Sequence, residues 1–550
     1  MGARARTGGV AFPHPVAFWL GTAAVTAGVI LHLPMFFDAA ETDYMLKGME
    51  VDGLMLAGMA LILVGLAATV YGVLEGRTRT QEPTAGIRVS ALDDAPIKKS
   101  HVALLLVMAA AVTIDITKPT TLGFVVPGFS KEYGLKSPLN PGGEVPAALL
   151  PLAGIAGTVI GSFIWGWLGD RIGRRASILL AGIVFIATSI CGSMPDYRLN
   201  LLMCFVMGLA AGGMLPITFT LLAETIPARH RSWLMVLIGG DIAGAYLITS
   251  NLADWLEPTY GWRILWLIGL PSGILLILLN RWIPESARYL LIHGRRLEAQ
   301  AVMERFGAET VEEPEESELA MEQGVRGRFG ELMRRPFGGI SVALALYGLA
   351  YGLVTFGFVL WLPTNLRKLG LGVGTSDRLL ADAALIAFPV IVVVALAYGF
   401  WSAKKTMLGV AALAAAALGG FAILGDSVVD NRLGLELLLA LVIMSSSAVV
   451  AVLTPYSAEV YPTRIRSRGT GFVAGASKAG GVLGIGIVAA AVAPPTIAAS
   501  ALLGAIPLAV AALAVAWFGI ETRKRRLEAI TAEELAGAAE RADSGGGAAP

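Results

Sequence analysis

The chain has 550 residues, 55% of them hydrophobic and 15% charged, with a formal net charge of +1. Soluble proteins carry about 25% charged residues, and the mean hydropathy is +0.70, so a soluble domain is excluded and the charge balance gives no reason to expect a nucleic-acid partner. Cys191 and Cys204 lie in or beside apolar stretches. With five scattered histidines they form no metal spacing, no cofactor is expected, and the absence of a nucleophile–base pair or phosphate loop argues against an enzyme.

A membrane-crossing helix needs about 20 apolar residues. Fourteen stretches qualify: 16–37, 52–74, 101–127, 146–168, 176–194, 199–222, 232–252, 262–283, 337–361, 379–401, 406–424, 433–456, 469–493 and 498–519. The first is longer than the roughly 7–15 apolar residues of a signal peptide and is expected to be a retained span. Basic loops mark the cytoplasmic side. Arg171, Arg174 and Arg175, Arg229 and Arg231, Lys404 and Lys405, Arg464, Arg466 and Arg468, and Arg523 to Arg526 all fall on one side of a fourteen-span chain. Asp38, Glu41, Asp43 and Glu50 fall on the other, so both termini are expected in the cytoplasm.

Two segments are polar. Residues 75–100 link the first two spans to the rest, and 284–336 separate the halves, with a helix predicted over Ala287 to Phe306 and an acidic run from Glu312 to Glu316. The tail after Thr531 is Ala/Glu- then Gly-rich and is expected to be disordered at its end. The organisation is an all-α polytopic membrane protein: two helices and a linker (1–100), a six-helix bundle (101–283), a central loop (284–336), a second six-helix bundle (337–520) and a tail (521–550).

Two motifs recur. Ala223-Glu224-Thr225-Ile226-Pro227-Ala228-Arg229-His230-Arg231 returns 235 residues later as Ala458-Glu459-Val460-Tyr461-Pro462-Thr463-Arg464-Ile465-Arg466. Gly166-Trp167-Leu168-Gly169-Asp170-Arg171 returns, worn, as Gly399-Phe400-Trp401-Ser402-Ala403-Lys404. Shared loop chemistry in two halves of a membrane protein points to transport between repeats.

The decapeptide from Gly166 to Arg175 resembles the Gly-x-Leu-Ala-Asp-Arg-x-Gly-Arg-Arg loop of the major facilitator superfamily. Pro284-Glu285-Ser286-Ala287-Arg288-Tyr289-Leu290 resembles the Pro-Glu-Ser-Pro-Arg signature of its sugar-porter-like branch, which includes metabolite:proton symporters, with Ala287 in place of the second proline. Together with Gly261-Trp262-Arg263, the likeness covers roughly residues 100–520. It implies a cytoplasmic gate of ion pairs at Asp170, Arg171, Arg174, Arg175, Glu224, Arg229, Arg231, Glu285, Arg288, Glu459, Arg464 and Arg466. The alternative is that these arginines only set topology. Ala403 stands where Asp170 has its repeat counterpart, so the gate is expected to be asymmetric. The paired glutamines of hexose carriers and the Gly-Pro-x-x-Gly-Gly element of drug antiporters are absent, which weakens a sugar substrate and an efflux role.

Charges inside a span cost about 2.5–3.5 kcal/mol each and usually serve function. Asp115 and Lys118 lie in the first core span, Asp241 in the fifth and Lys478 in the eleventh. Asp115 and Asp241 are the candidate proton sites; Lys118 and Lys478 are candidates for holding a substrate carboxylate. The structural alternative is mutual neutralisation, Asp115 with Lys118 and Asp241 with Lys478. Pro119, Gly123 and Pro127 could open the first core span for a ligand or merely kink it. Tyr347, Tyr351, Thr355 and Trp361 are candidate cavity residues, and Asp382 is expected near a span end.

The expected function is secondary transport by alternating access: proton-coupled symport of a small organic anion, by a plasma-membrane protein whose partners are substrate, protons and the bilayer, with a monomer favoured. The alternatives are a proton-driven exporter of a hydrophobic compound, or a non-transporting receptor or scaffold.

Overall fold

A computed structural model describes residues 12–74, 92–136, 142–308, 328–362, 385–386, 389–462, 464–490, 496–523 and 525. Asp382, the acidic run 312–316, most of the linker and the tail beyond 525 lie outside the described residues, as do the side chains of Pro127 and Trp361.

The described chain is all helix apart from one isolated bridge, Lys136 to Pro146. The main helices are α1 (Pro15–Ile30), α2 (Gly53–Val73), α3 (Lys99–Tyr133), α4 (Leu149–Ile172), α5 (Arg174–Thr188), α6 (Tyr197–Thr225), α7 (Ala228–Gly239), α8 (Ile242–Tyr260), α9 (Ile264–Trp282), α10 (Ala287–Ile292), α11 (Arg296–Arg305), α12 (Gly338–Gly352), α13 (Pro389–Trp401), α14 (Ala403–Leu424), α15 (Arg432–Val460), α16 (Arg466–Ala490) and α17 (Ile497–Phe518). Among the described residues, twelve helical segments are long and apolar enough to cross a membrane.

Two of the fourteen expected spans differ. The stretch 232–252 belongs to two helices, because the chain turns at Gly240 and Asp241 between α7 and α8. Of 379–401, residues 379–384 and 387–388 lie outside the described residues, and the 13-residue helix Pro389–Trp401 is too short to count by itself. The single helix expected from Ala287 to Phe306 is also broken: Gly294, at φ +72°, turns the chain between α10 and α11.

Helices this apolar gain little by hiding from lipid, so close packing and polar contacts hold them together. Gly157 in α4 lies against the Phe205 carbonyl of α6, where a methyl group would collide with backbone. α1 and α2 approach equally closely: a Cβ on Gly21 would lie 2.6 Å from the Gly65 carbonyl. Two large apolar cores result, one joining α1 and α2 to most of the first half and one mainly within α12–α17, with Ala458 and Val236 crossing between them.

The halves pack closely at the arginine-rich end. There α4 lies on α16, with Gly166 facing Ser467 and Gly471, and α7 meets α13 where Trp233 covers Gly399.

Candidate functional site

α6 and α15 are both 29 residues long, and both of their ends are related by the 235-residue offset. Each carries an internal proline (Pro216, Pro455) and finishes on the repeated Ala-Glu motif. The motif glutamates therefore reach the same end of the molecule, beside the arginine-bearing starts of α5, α7 and α16.

Glu224 is the centre of that end. It accepts two hydrogen bonds from the Arg174 guanidinium, both at 3.1 Å, and one from Arg466 of the other half at 2.9 Å. Arg288 donates to the Glu224 backbone carbonyl at 2.6 Å. Asp170 adds a second crossing: Arg468 of α16 donates to it at 2.9 Å, and Arg174 lies 3.5 Å away. Paired, fully hydrogen-bonded charges are the form in which buried ions are tolerated.

Glu285 serves a different role within the first half. It accepts from the backbone N–H groups of Arg174 and Arg175, at 2.8 and 3.3 Å, which closes the N-terminus of α5. Burial raises its carboxyl above the ordinary glutamate range; the Ser286 N–H and the Arg174 charge oppose this without cancelling it. Arg175 reaches the Asn280 side chain at 2.7 Å.

Glu459, the repeat-mate of Glu224, is held mainly by hydroxyls: Thr522 at 2.6 Å, Ser232 of the first half at 2.9 Å and Tyr398 at 3.1 Å. Arg231, the repeat-mate of Arg466, turns to Asp93 of the linker at 2.9 Å, and Arg288 joins it there at 3.3 Å. Asp93 was not singled out in the sequence because nothing in the repeat marks it.

Glu521 supplies a carboxylate at the worn loop, where Ala403 replaces the acid. It accepts from the Ala403 N–H at 3.0 Å and from the Ser402 hydroxyl, capping α14 much as Glu285 caps α5. Its signal was in the sequence: Glu521-Thr522 follows Glu285-Ser286 by 236 residues.

Two of the expected gate residues stand apart from the cluster. Arg171 is exposed, its guanidinium 5.0 Å from the Trp167 ring centre, and Arg229 is exposed with no ion pair among the described residues. Arg464 offers its backbone carbonyl to Arg468 at 3.1 Å.

The charges within the spans sort differently from the expected pairs. Asp115 is buried on α3, within the fields of Lys118 on the same helix and of Lys478 from the opposite half. Lys478 is half-buried, 6.0 Å from the Phe356 ring centre, with no ion pair within 4 Å among the described residues. Phe356 stands in a π-helical turn, Leu353–Phe358, a distortion often found at functional sites. Lys118 turns away from the seam, buried between α5 and α9, with Ser272 at 3.4 Å and the Phe185 ring centre at 5.6 Å. Asp241 accepts from the Thr113 hydroxyl of α3 and has no lysine partner among the described residues. Tyr347 is packed in the second half, donating to the Met407 carbonyl at 3.0 Å; Tyr351 is buried one turn on, and Thr355 is half-buried.

A family model described as "Sugar (and other) transporter" matches residues 125–533, and one described as "MFS/sugar transport protein" matches 15–232. The chain belongs to the sugar (and other) transporter family of the major facilitator superfamily. It is 27% identical to the niacin transporter NiaP of Acinetobacter baylyi over 399 residues, covering 72% of this chain and 88% of that one. It is likewise 27% identical over 405 residues to the 4-hydroxybenzoate transporter PcaK of the same organism, covering 72% and 85%. In fold it is similar to the proton:xylose symporter XylE bound to 6-bromo-6-deoxy-D-glucose: TM-score 0.66, 15% identity, 79% of this chain and 98% of that one.

Proposed function

We propose that the protein is a proton-coupled symporter of a small organic acid in the cell membrane, with both termini cytoplasmic, built as two six-helix halves preceded by two further spans. The reading is carried by two opposite charges set inside the spans of opposite halves, Asp115 and Lys478, neither with an ion pair within 4 Å among the described residues and each within the field of the other. Left to themselves, the two charges neutralise each other across the seam. A substrate carboxylate that takes Lys478 leaves Asp115 uncompensated in a medium of low dielectric, and a proton on Asp115 restores neutrality. One proton then enters with each monocarboxylate. The relatives named for niacin and 4-hydroxybenzoate, both aromatic carboxylates at neutral pH, support that substrate class.

The arginine-rich end acts as the inner gate. Arg466–Glu224, Arg468–Asp170 and Ser232–Glu459 tie the halves while it is shut and part when it opens. Arg174, Glu285 and Arg288 hold the first-half side of the latch. Boundary ion pairs suit this because two alternative arrangements of similar energy can exchange.

The test uses purified protein in proteoliposomes with radiolabelled 4-hydroxybenzoate, nicotinate and xylose, with and without an inside-alkaline pH gradient. Accumulation of a carboxylate that needs the gradient and is lost in Asp115→Asn is the expected result. Xylose accumulation, or accumulation indifferent to the gradient, would overturn the reading.

A further inference from the structure

Five donors converge on Glu132, near the end of α3 opposite the arginine cluster. Arg263 donates twice, at 2.6 and 3.1 Å, and the Trp262 indole once, at 3.0 Å. The other two are the backbone N–H groups of Leu46 and Lys47, both 2.9 Å from the same carboxylate oxygen. Those amides belong to the loop that joins α1 to α2. Glu132 and Arg263 are both buried. A buried carboxylate needs several donors, and main-chain amides held at fixed positions supply them without moving.

The surroundings fit the loop to this spot. Gly261, at φ +66°, passes close to the Asp43 carbonyl, and the Tyr44 and Tyr260 rings meet at 5.7 Å. Tyr133 accepts from Arg263 at 2.9 Å and donates to the Pro195 carbonyl at 2.9 Å. Burial pushes its hydroxyl up to about 12, so it remains a donor.

We propose that the α1–α2 loop is a working part of the transport core: with Arg263 it clamps Glu132, fixing the far end of α3 to the start of α9. Glu132 is thus a positioning residue for Asp115 on the same helix. α3 is tied at its other end as well, where the Ser100 hydroxyl donates to the Arg305 carbonyl at 2.9 Å. Held at both ends, α3 moves with its half as one body. Without the loop amides its far end swings separately from the half that carries it. The clamp itself needs no substrate; the part played by Asp115 rests on the symport reading, and failure of the clamp would leave that reading standing.

The loop permits a selective test. Met49 N–H donates to the Leu46 carbonyl at 3.0 Å and Gly48 has φ +89°, which makes Lys47 the second residue of a tight turn. Proline is favoured at that position and lacks an N–H. Lys47→Pro therefore removes one clamp donor and keeps the turn, while Lys47→Ala removes the side chain and keeps the donor.

Spin labels at Gly123→Cys on α3 and Arg198→Cys at the start of α6 report the inter-helix distance in the full-length protein, and both native cysteines are buried. Hydrogen–deuterium exchange over residues 126–136 is read alongside. Lys47→Ala should match the parent, with one narrow distance population. Lys47→Pro and Glu132→Gln should add a second population and speed exchange over 126–136 by about tenfold, the scale of one hydrogen bond to a charged group, while α5 and α6 keep their protection. A purely stabilising contact would leave the folded-state distances unchanged. The proposal is overturned if Lys47→Pro behaves as Lys47→Ala, or if exchange quickens equally in every helix.

Discussion

Arg466 crosses the seam to Glu224 at 2.9 Å, but its repeat-mate Arg231 does not return the contact to Glu459. Asp93, from the linker, takes Arg231 instead, and hydroxyls serve Glu459. A pseudo-twofold gate has thus become one-sided, with most of its ionic hold on the first-half glutamate.

The asymmetry predicts unequal costs. Glu224→Gln takes the shared carboxylate away from Arg174 and Arg466, and breaking a buried charged network in this way costs about 3–5 kcal/mol. Asp93→Asn should cost less, because Arg231 can turn to Glu459. Adding Glu459→Gln removes that refuge, so the double variant should lose more than the two singles together, by about 0.5–3 kcal/mol. Thermal unfolding in detergent measures all four proteins. Strict additivity would mean that Arg231 never reaches Glu459.

Asp115 and Lys478 should fail in different ways. Asp115→Asn fixes a neutral group, so carboxylate counterflow between equal pools survives while uphill accumulation disappears. Lys478→Met removes the cation, and losing a charged hydrogen bond of about 1.5–3 kcal/mol raises the half-saturation concentration about 10- to 100-fold. Equal loss of counterflow in both variants would deny them separate roles.

Lys118 tests the opposite outcome. Its ammonium is buried in the first half with Ser272 at 3.4 Å and no carboxylate within ion-pair distance among the described residues. Replacing a buried charge that lacks a direct ion pair by an apolar chain of similar length is neutral or stabilising. Lys118→Met should retain transport and match or exceed the parent melting temperature. A 100-fold loss of affinity with unchanged stability would return Lys118 to the substrate site.

Apolar length revealed the helices, and the doubled Ala-Glu-x-x-Pro-x-Arg-x-Arg motif revealed which residues meet at the arginine-rich end, since residues at one repeat position reach equivalent places. What spacing could not reveal was partner choice. Asp115 and Lys118 are one turn apart, yet Lys118 turns to Ser272 and makes no ion pair within 4 Å with Asp115, which also lies in the field of a lysine more than 360 positions away. Asp93 and Glu132 were missed because neither belongs to a repeated motif, and the importance of each comes from arginines and amides brought in by distant chain. Arg171 and Arg229 belong to the right motifs but point outward, a distinction set by helix rotation rather than by residue type.

Glycine separates packing from propensity within one protein. Gly157 on α4 faces the Phe205 carbonyl of α6 so closely that a methyl group would strike backbone, which cannot rotate away. Gly157→Ala must push α4 and α6 apart along a contact that supports the seam, and overpacking costs about 1–3 kcal/mol or more. Gly409 in α14 has open space where a Cβ would stand. Gly409→Ala should therefore stabilise by about 0.4–1 kcal/mol through reduced unfolded-state entropy and better helix propensity. Melting temperatures shifting in opposite directions are the expected result. A Gly157→Ala protein as stable as the parent would show that α4 and α6 can separate freely, and close glycine packing would then not be what holds the first half together.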